Sequence, residues 1–260
     1  MANALYSSYA DYILGGAAWT SSVAPMASYA LATFGYLRPD WLVQWNVKTV
    51  TITATISSKQ ADIVAAPMSN LSAGTSPTIL RVTNNQGLDV TVELPTVPAD
   101  GLPLTAVYDF RTAPNASTPA TVWNFVIANN AADVILGGAL WLGRVHEFTA
   151  NFRPSPVVSD QRYNGNVPNI YGVVHRMRSR ARTRSFEFGV PSRDTQRDAL
   201  MEWIRAGEGS GLPSVFWPNP AVNDALFGSF DDTYGSVWVV DNFSPMDGLR
   251  FTEWSKGTPL

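Results

Sequence analysis

The sequence predicts a mainly β protein: an antiparallel β-sandwich over residues 1–149, then a small β-rich unit with one α-helix over residues 171–260. Three observations carry this. Short runs rich in β-branched and aromatic residues recur between residues 47 and 130 at intervals of about 10–16 residues, punctuated by Asn, Gly, Pro and Ser. Only one stretch of the whole chain has helical periodicity. Between the two units, "ANFRPSPVVSDQRYNGNVPNI" (150–170) is rich in Pro, Asn and Ser with little periodicity, and reads as a linker.

The elements follow in order. "VKTVTITATIS" (47–57) alternates and reads as a strand, and "ADIVAAPM" (61–68) is a second, continuously apolar run. "TILRVTNN" (78–85), "LDVTVELP" (88–95), "LTAVYDFRT" (104–112) and "TVWNFVIANN" (121–130) continue the series. "VILGGALWLGRVHEF" (134–148) reads as one more strand, with its Gly pair a bulge or a close approach of two backbones. It does not read as a phosphate loop, because another apolar run follows the glycines where a helix and a Lys are needed. The shorter echo "YILGGAAW" (12–19) reads as an opening strand lying near that last one.

In the second unit, "GVVHRMRSRARTRSFEFGVP" (172–191) is a long extended run. "SRDTQRDALMEWIRAGEGSG" is the helix, with Ser192 or Asp194 as N-cap, Leu200, Trp203 and Ile204 as its apolar face and Gly207 as its stop. "PSVFWPNP" (213–220), "GSVWVVDNFSP" (235–245) and "GLRFTEWS" (248–255) are the closing strands.

Composition narrows the function. The chain has no Cys, so disulfides, thiolate metal sites and Cys nucleophiles are out. Its 260 residues suffice to bury a core without such staples. No basic residue precedes the first apolar run, a poor secretion signal, and no run has the length of a membrane span. Charged residues make up 15% of the chain, against about a quarter in an average protein, while Trp, Tyr and Phe number nine, nine and twelve. That balance fits a surface covered by neighbouring subunits, and equally a sugar-binding β protein. The net charge of −3 argues against a general nucleic-acid binder.

The catalytic inventory is thin. The two histidines, His146 and His175, stand in no metal-ligand spacing and read as structural. "GEGSG" (207–211) places Gly where a nucleophile elbow needs Ser. Asp231 and Asp232 read as a turn rather than as a cation site or an acid–base pair. No enzyme activity, cofactor or metal is expected.

The most ordered charge pattern is "HRMRSRARTRSFEF": Arg176, Arg178, Arg180, Arg182 and Arg184 recur at every second position. In a strand all five would share one face, and their repulsion calls for a counter-charge. Three readings stay open: a solvated edge strand kept soluble by charge, a contact with acidic side chains of a protein partner, and a contact with phosphates. These five are the candidate assembly-interface residues.

Two sets of motifs carry a resemblance. "ADIVAAPMSNLS", "PTILRVTNN" and "NNAADVILGGALWLGRVHEF" resemble the strands of a galactose-binding-like jelly roll of the form carried by some tailed-phage proteins. The basic strand ending in "RSFEF", the helix "TQRDALMEWIRA" and the strand "PSVFWPNP" resemble, in that order, the small β domain of phage distal tail and minor tail proteins. The resemblance implies a virion structural protein of the tail tip or baseplate, assembled in the host cytoplasm. It implies a ring of identical copies that joins the tail tube to the hub and receptor-binding parts, with DNA passing through the lumen at most transiently and no membrane insertion. The alternative is a carbohydrate-binding module that attaches to host-surface glycan through a loop aromatic such as Trp41 or Trp45. A hydrolase built on Asp231, Asp232 and the histidines is a distant third.

Overall fold

A computed structural model describes residues 3–26, 30–67, 78–93, 105–129, 133–148, 157–168, 174–188, 199–200, 212–221, 225–232 and 249–254. The chain is mainly β, as expected, and all strand pairing among the described residues is antiparallel. The first part comprises β1 (Leu5–Ser7), a 3₁₀ turn (Tyr9–Asp11), β2 (Ala18–Ser21), a second 3₁₀ segment (Leu31–Tyr36), β3 (Arg38–Gln44), β4 (Thr49–Lys59) and β5 (Ile63–Pro67). Then come β6 (Thr78–Asn84), β7 (Asp89–Glu93), β8 (Thr105–Asp109), β9 (Ala120–Asn129), β10 (Ile135–Gly138), β11 (Trp141–Gly143) and β12 (His146–Glu147). The rest is β13 (Val157–Pro168), β14 (Val174–Phe188), β15 (Pro213–Trp217), β16 (Leu226–Asp232) and β17 (Leu249–Glu253).

The strands form layers. A five-stranded sheet, β2-β4-β9-β6-β7, faces the three-stranded sheet β11-β5-β8, with the β10-β3 pair closing the side; this is the jelly-roll sandwich. Alternation along the strands decides what each face buries. Val50, Ile52 and Ala54 of β4 and Trp123, Phe125 and Ile127 of β9 point into the sandwich, where they meet Val64 and Ala66 of β5, Ala106 of β8 and Leu142 of β11.

The intervening residues of the three-stranded sheet point the other way. Ile63, Ala65, Val107 and Trp141 enter a second core with Leu5 of β1, Val215 and Trp217 of β15 and Phe227 of β16. The C-terminal strands thus pack on the back of the sandwich as a third layer. That layer is a seven-stranded sheet, β12-β1-β15-β16-β17-β14-β13, in which the N-terminal strand β1 sits between β12 and β15. The two halves of the chain are stitched together in the second core, in this sheet, and by a bridge in which Ala225 N–H donates to the Thr105 carbonyl at 3.1 Å.

Several sequence expectations change. The 134–148 run is three short strands in three different sheets, β10 against β3, β11 against β5 and β12 against β1. The Gly pair marks a bulge, though on the partner strand: Gly137 pairs with Leu42 and Gly138 with Arg38, so the extra residues belong to β3. The echo at 12–19 lies beside the later run, since Tyr12 bridges Gly143, but its strand β2 begins only at Ala18 and pairs with β4. The segment read as a linker contains a strand of twelve residues, β13, whose polar sequence hid it because it pairs on one side only. Asp231 and Asp232 end strand β16 instead of forming a turn. The expected helix and the strand at 235–245 lie outside the described residues, except that Ala199 and Leu200 have helical backbone and Leu200 is buried.

Glycines mark where backbones crowd. A Cβ at Gly228 would overlap the carbonyl oxygen of Thr252 across the β16–β17 pair, and one at Gly143 would sit 2.8 Å from the Asp11 carbonyl. Trp141 fills the second core, fully buried, with its indole Nε1 donating to Ser7 Oγ at 3.0 Å and Phe227 edge-on at 5.9 Å. Trp141→Ala is therefore expected to lower stability by about 3–5 kcal/mol in urea denaturation. Because the two cores share one sheet, intrinsic fluorescence and far-UV circular dichroism should report a single coincident transition; two separated transitions would mean the halves fold independently.

Candidate functional site

The second 3₁₀ segment ends at Leu37, whose φ of 50° and ψ of 42° are left-handed. That conformation is strained for a non-glycine residue, by roughly 1 kcal/mol, and is held by burial of the Leu37 side chain in the second core. The reversal turns Tyr36 outward. Three residues that β3 carries in excess of β10 then form a bulge, and Trp41 is its last member. The two rings meet edge to face at 5.5 Å and remain 64% and 46% exposed. Met26 and Val23, also exposed, lie on the segment alongside: Met26 N–H donates to the Gln44 carbonyl at 2.8 Å and the Val23 carbonyl accepts from Trp45 Nε1 at 3.1 Å. The result is a ledge formed by an exposed aromatic pair with ring planes at 62°, and Val23 and Met26 add exposed apolar side chains on the segment bonded to the end of β3. Large exposed aromatics grouped this way mark a binding surface more often than chance.

Trp45 does not belong to the ledge. It is fully buried beside Phe34, so of the two tryptophans singled out from sequence only Trp41 is exposed. Sequence alone missed Tyr36, because nothing in "TFGYL" signals that the residue after it adopts a left-handed backbone.

His146 heads a second constellation. Its Nε2 lies 2.8 Å from Asp11 Oδ1, while Asp11 Oδ2 accepts from Ser8 N–H at 2.9 Å and from Ser8 Oγ at 2.6 Å. Tyr6 stacks on the imidazole at 5.2 Å. Ser8-x-x-Asp11 is a capping spacing visible in the sequence. The order of contacts matters: the hydroxyl donates to the carboxylate and the imidazole faces the carboxylate's other oxygen, so the order differs from the Ser–His–Asp relay of a triad. Nearby, Arg144 Nε donates to buried Asp62 at 2.6 Å, and the same oxygen accepts Val145 N–H at 3.2 Å. These pairs tie β11 and β12 to β1 and β5. His175 sits on β14 opposite Val167, away in register from Asp231 and Asp232, which pair with Arg250 and Leu249. Among the described residues no group of three or more His, Cys, Asp or Glu is disposed to hold a metal ion.

The five stripe arginines all lie on β14 at alternate positions, as read. Arg184 is in register with Asp160, Arg182 with Arg162, Arg178 with Asn164 and Arg176 with Asn166.

Comparison with known proteins adds the following. No family model matches the chain and no curated protein matches it. Among solved structures, the lectin domain of lectinolysin, as the His 62 mutant complexed with Lewis b, aligns with a TM-score of 0.40 at 9% identity over 53% of this chain and 99% of its own. The family 32 carbohydrate-binding module of C. perfringens NanJ in complex with galactose aligns with a TM-score of 0.37 at 10% identity, over 52% of this chain and 98% of its own. A chitosan-binding module of a chitosanase/glucanase from Paenibacillus sp. IK-5 aligns with a TM-score of 0.36 at 15% identity, over 51% of this chain and 98% of its own.

The Asp11–His146 pair sets a pH dependence. The hydrogen bond that the imidazole donates to the Asp11 carboxylate raises the His146 pKa above its ordinary 6.5, against partial burial and the Arg144 charge. Burial pushes Asp11 up, but the bonds from His146 and Ser8 outweigh it and leave its pKa below the ordinary 3.8. The His146 contribution is complete below the unfolded value of 6.5 and is lost as pH rises through the higher folded value. The Asp11 contribution is present above 3.8 and is lost as pH falls through the lower folded value. The stability difference between the native chain and His146→Gln should peak between those two values, at roughly 0.5–1 kcal/mol for a pair this open to solvent. Thermal melts of both proteins across pH 3–9 check it; a difference that does not vary with pH would show the pair to be inert.

Proposed function

We propose that this chain is a non-catalytic binding protein whose jelly roll attaches to a glycan through the Tyr36–Trp41 ledge. One observation carries the reading: the ledge is an exposed aromatic pair held in place by a strained Leu37 and a bulge in β3. The electron-rich face of an aromatic ring attracts the polarised C–H groups on the flat side of a pyranose. Two rings at a steep angle offer one face to the sugar and one edge to its side. The glycan-binding neighbours among solved structures point in the same direction only at the level of fold.

A glycan array with the full chain identifies the ligand class. Trp41→Ala should then weaken binding by about tenfold or more, with Tyr36→Ala close behind, while thermal stability is little changed because both side chains are exposed. Trp45→Ala serves as the contrast, since it should destabilise the fold. An array with no binder, or binding that survives both ledge substitutions, would remove this reading.

A second reading is a tail-tip component of a phage virion. The observation favouring it is the basic ribbon formed by β13 and β14, which suits contact with other chains. Such a component would be found at the tail end of purified particles by immunogold labelling. Particles without label would exclude it and leave the glycan reading untouched.

A further inference from the structure

We infer that the C-terminal layer regulates the ledge, with Leu37 as the positioning residue through which it acts. That role rests on the reading of the ledge as a glycan site and adds what controls the site.

The ledge straddles the two cores. Before it, Phe34 of the 3₁₀ segment is buried in the first core, with Trp19 at 5.2 Å and Trp45 at 6.5 Å. One turn further on, Leu37 is buried in the second core. Tyr36 stands at the crossing, belongs to neither core and is left exposed. The β3–β10 pair makes the same crossing. At one end Trp45 N–H donates to the Val134 carbonyl at 3.0 Å, and both residues lie in the first core. At the other end Arg38 is in register with Gly138, and their chain neighbours Leu37 and Ala139 lie in the second core. Trp41 sits between, close before Val43 of the first core. One ring of the pair therefore follows the second core and the other follows the first.

The C-terminal layer enters just one of those cores. Among the described residues the first core takes nothing beyond Leu142, whereas the second takes Val215, Trp217, Ala225 and Phe227. A change in the packing of that layer is thus felt at Leu37 and not at Val43 or Trp45.

Leu37 has an alternative to its present backbone. Its left-handed φ of 50° is held by burial, and a released side chain returns to the right-handed or extended regions that a residue with a Cβ favours. Such a return swings Tyr36 and ends its 5.5 Å edge-to-face contact with Trp41. The segment thus has two discrete arrangements, ring pair formed and ring pair broken, and the second core decides between them. Coupling of this kind is reciprocal, so a sugar held by the rings also tightens the C-terminal layer.

Fluorine NMR of the full chain labelled with fluorotryptophan tests the coupling without any ligand. Trp41→Phe assigns the Trp41 signal, and Tyr36→Ala gives its position when the pair is lost. Phe227→Leu thins the second core from the C-terminal side and should move the signal toward that position. Leu37→Ala should move it further, and Leu37→Met should leave it in place. Val82→Ala, a loss from the first core on β6, should also leave it in place although it lowers stability. For the ligand that the glycan array identifies, Phe227→Leu should weaken binding by about fivefold or more, with Val82→Ala unchanged. A Trp41 signal indifferent to Leu37→Ala and Phe227→Leu, an equal movement in Val82→Ala, or a moved signal with unchanged affinity would each overturn the inference. Should Leu37→Ala fail to fold by circular dichroism, Phe227→Leu decides alone. An array without a binder removes the glycan reading, and the fluorine signal then still decides whether the C-terminal layer sets the ring pair.

Discussion

The structure depends on one constraint: the three-stranded sheet β11-β5-β8 is buried on both faces. Most sandwich sheets bury one face and wet the other, and their strands alternate accordingly. Here Val64, Ala66 and Leu142 serve the first core while Ile63, Ala65 and Trp141 serve the second. The strand "IVAAP" is apolar throughout for that reason, and its small residues let the layers on either side approach. Removing either outer layer would expose a hydrophobic face, so the N-terminal and C-terminal halves of the chain stabilise each other. Insertion of β1 between β12 and β15 reinforces this, because the first strand of the sequence completes a sheet made largely from the last.

The chain crosses from layer to layer in a short space, and glycines and ion pairs gather where it does. Between Ile135 and Glu147 it visits three sheets in succession. Gly138 ends the first visit at the β3 bulge, and Gly143 ends the second where the Asp11 backbone leaves no room for a side chain. Past that point the backbone is fixed by polar contacts instead of packing: Arg144 N–H donates to the Asp11 carbonyl at 3.2 Å, Asp62 accepts Val145 N–H, and His146 meets Asp11. The polar cluster lies at the rim of the second core, where strands too short to hold themselves need side-chain ties. Within it Ser8 faces the Asp11 carboxylate and not the imidazole.

Much of the sandwich was legible in the sequence because its strands obey simple alternation. The expected runs at 47–57, 78–85, 88–95, 104–112 and 121–130 correspond to β4, β6, β7, β8 and β9, within a few residues at their ends. What eluded sequence reasoning has physical causes. The 134–148 run is uniformly apolar, so nothing in it marks where it changes sheets; only its glycines hinted at a break. β13 is polar and pairs on one side, so it carries neither alternation nor an apolar face. The continuous apolarity of "ADIVAAPM" was visible, but its meaning as a sheet buried twice over needs the third layer, which comes from distant sequence. At the ledge, Trp41 stood out as a loop tryptophan, yet it could not be told from Trp45, four residues on and fully buried. The difference lies in a bulge, which shifts the alternation and is not encoded by residue type.

Residues that break the burial and pairing rules are the ones to ask about function, since the rest of the chain is consistent from pattern to packing. Trp45, Trp123 and Trp141 are fully buried in the cores, so aromatic content by itself explains nothing about binding. Tyr36 and Trp41 break that habit, and they do so at a left-handed residue, Leu37, directly before a strand and at the bulge that follows. The arginines break a second rule, with like charges in register on a ribbon that has outrun its sheet. Neither departure helps the chain fold: exposing rings forgoes burial, and stacking like charges opposes pairing. Each is tolerated because the two buried cores beneath supply the stability that it forgoes; under the proposed reading the rings would regain that loss against the flat face of a sugar.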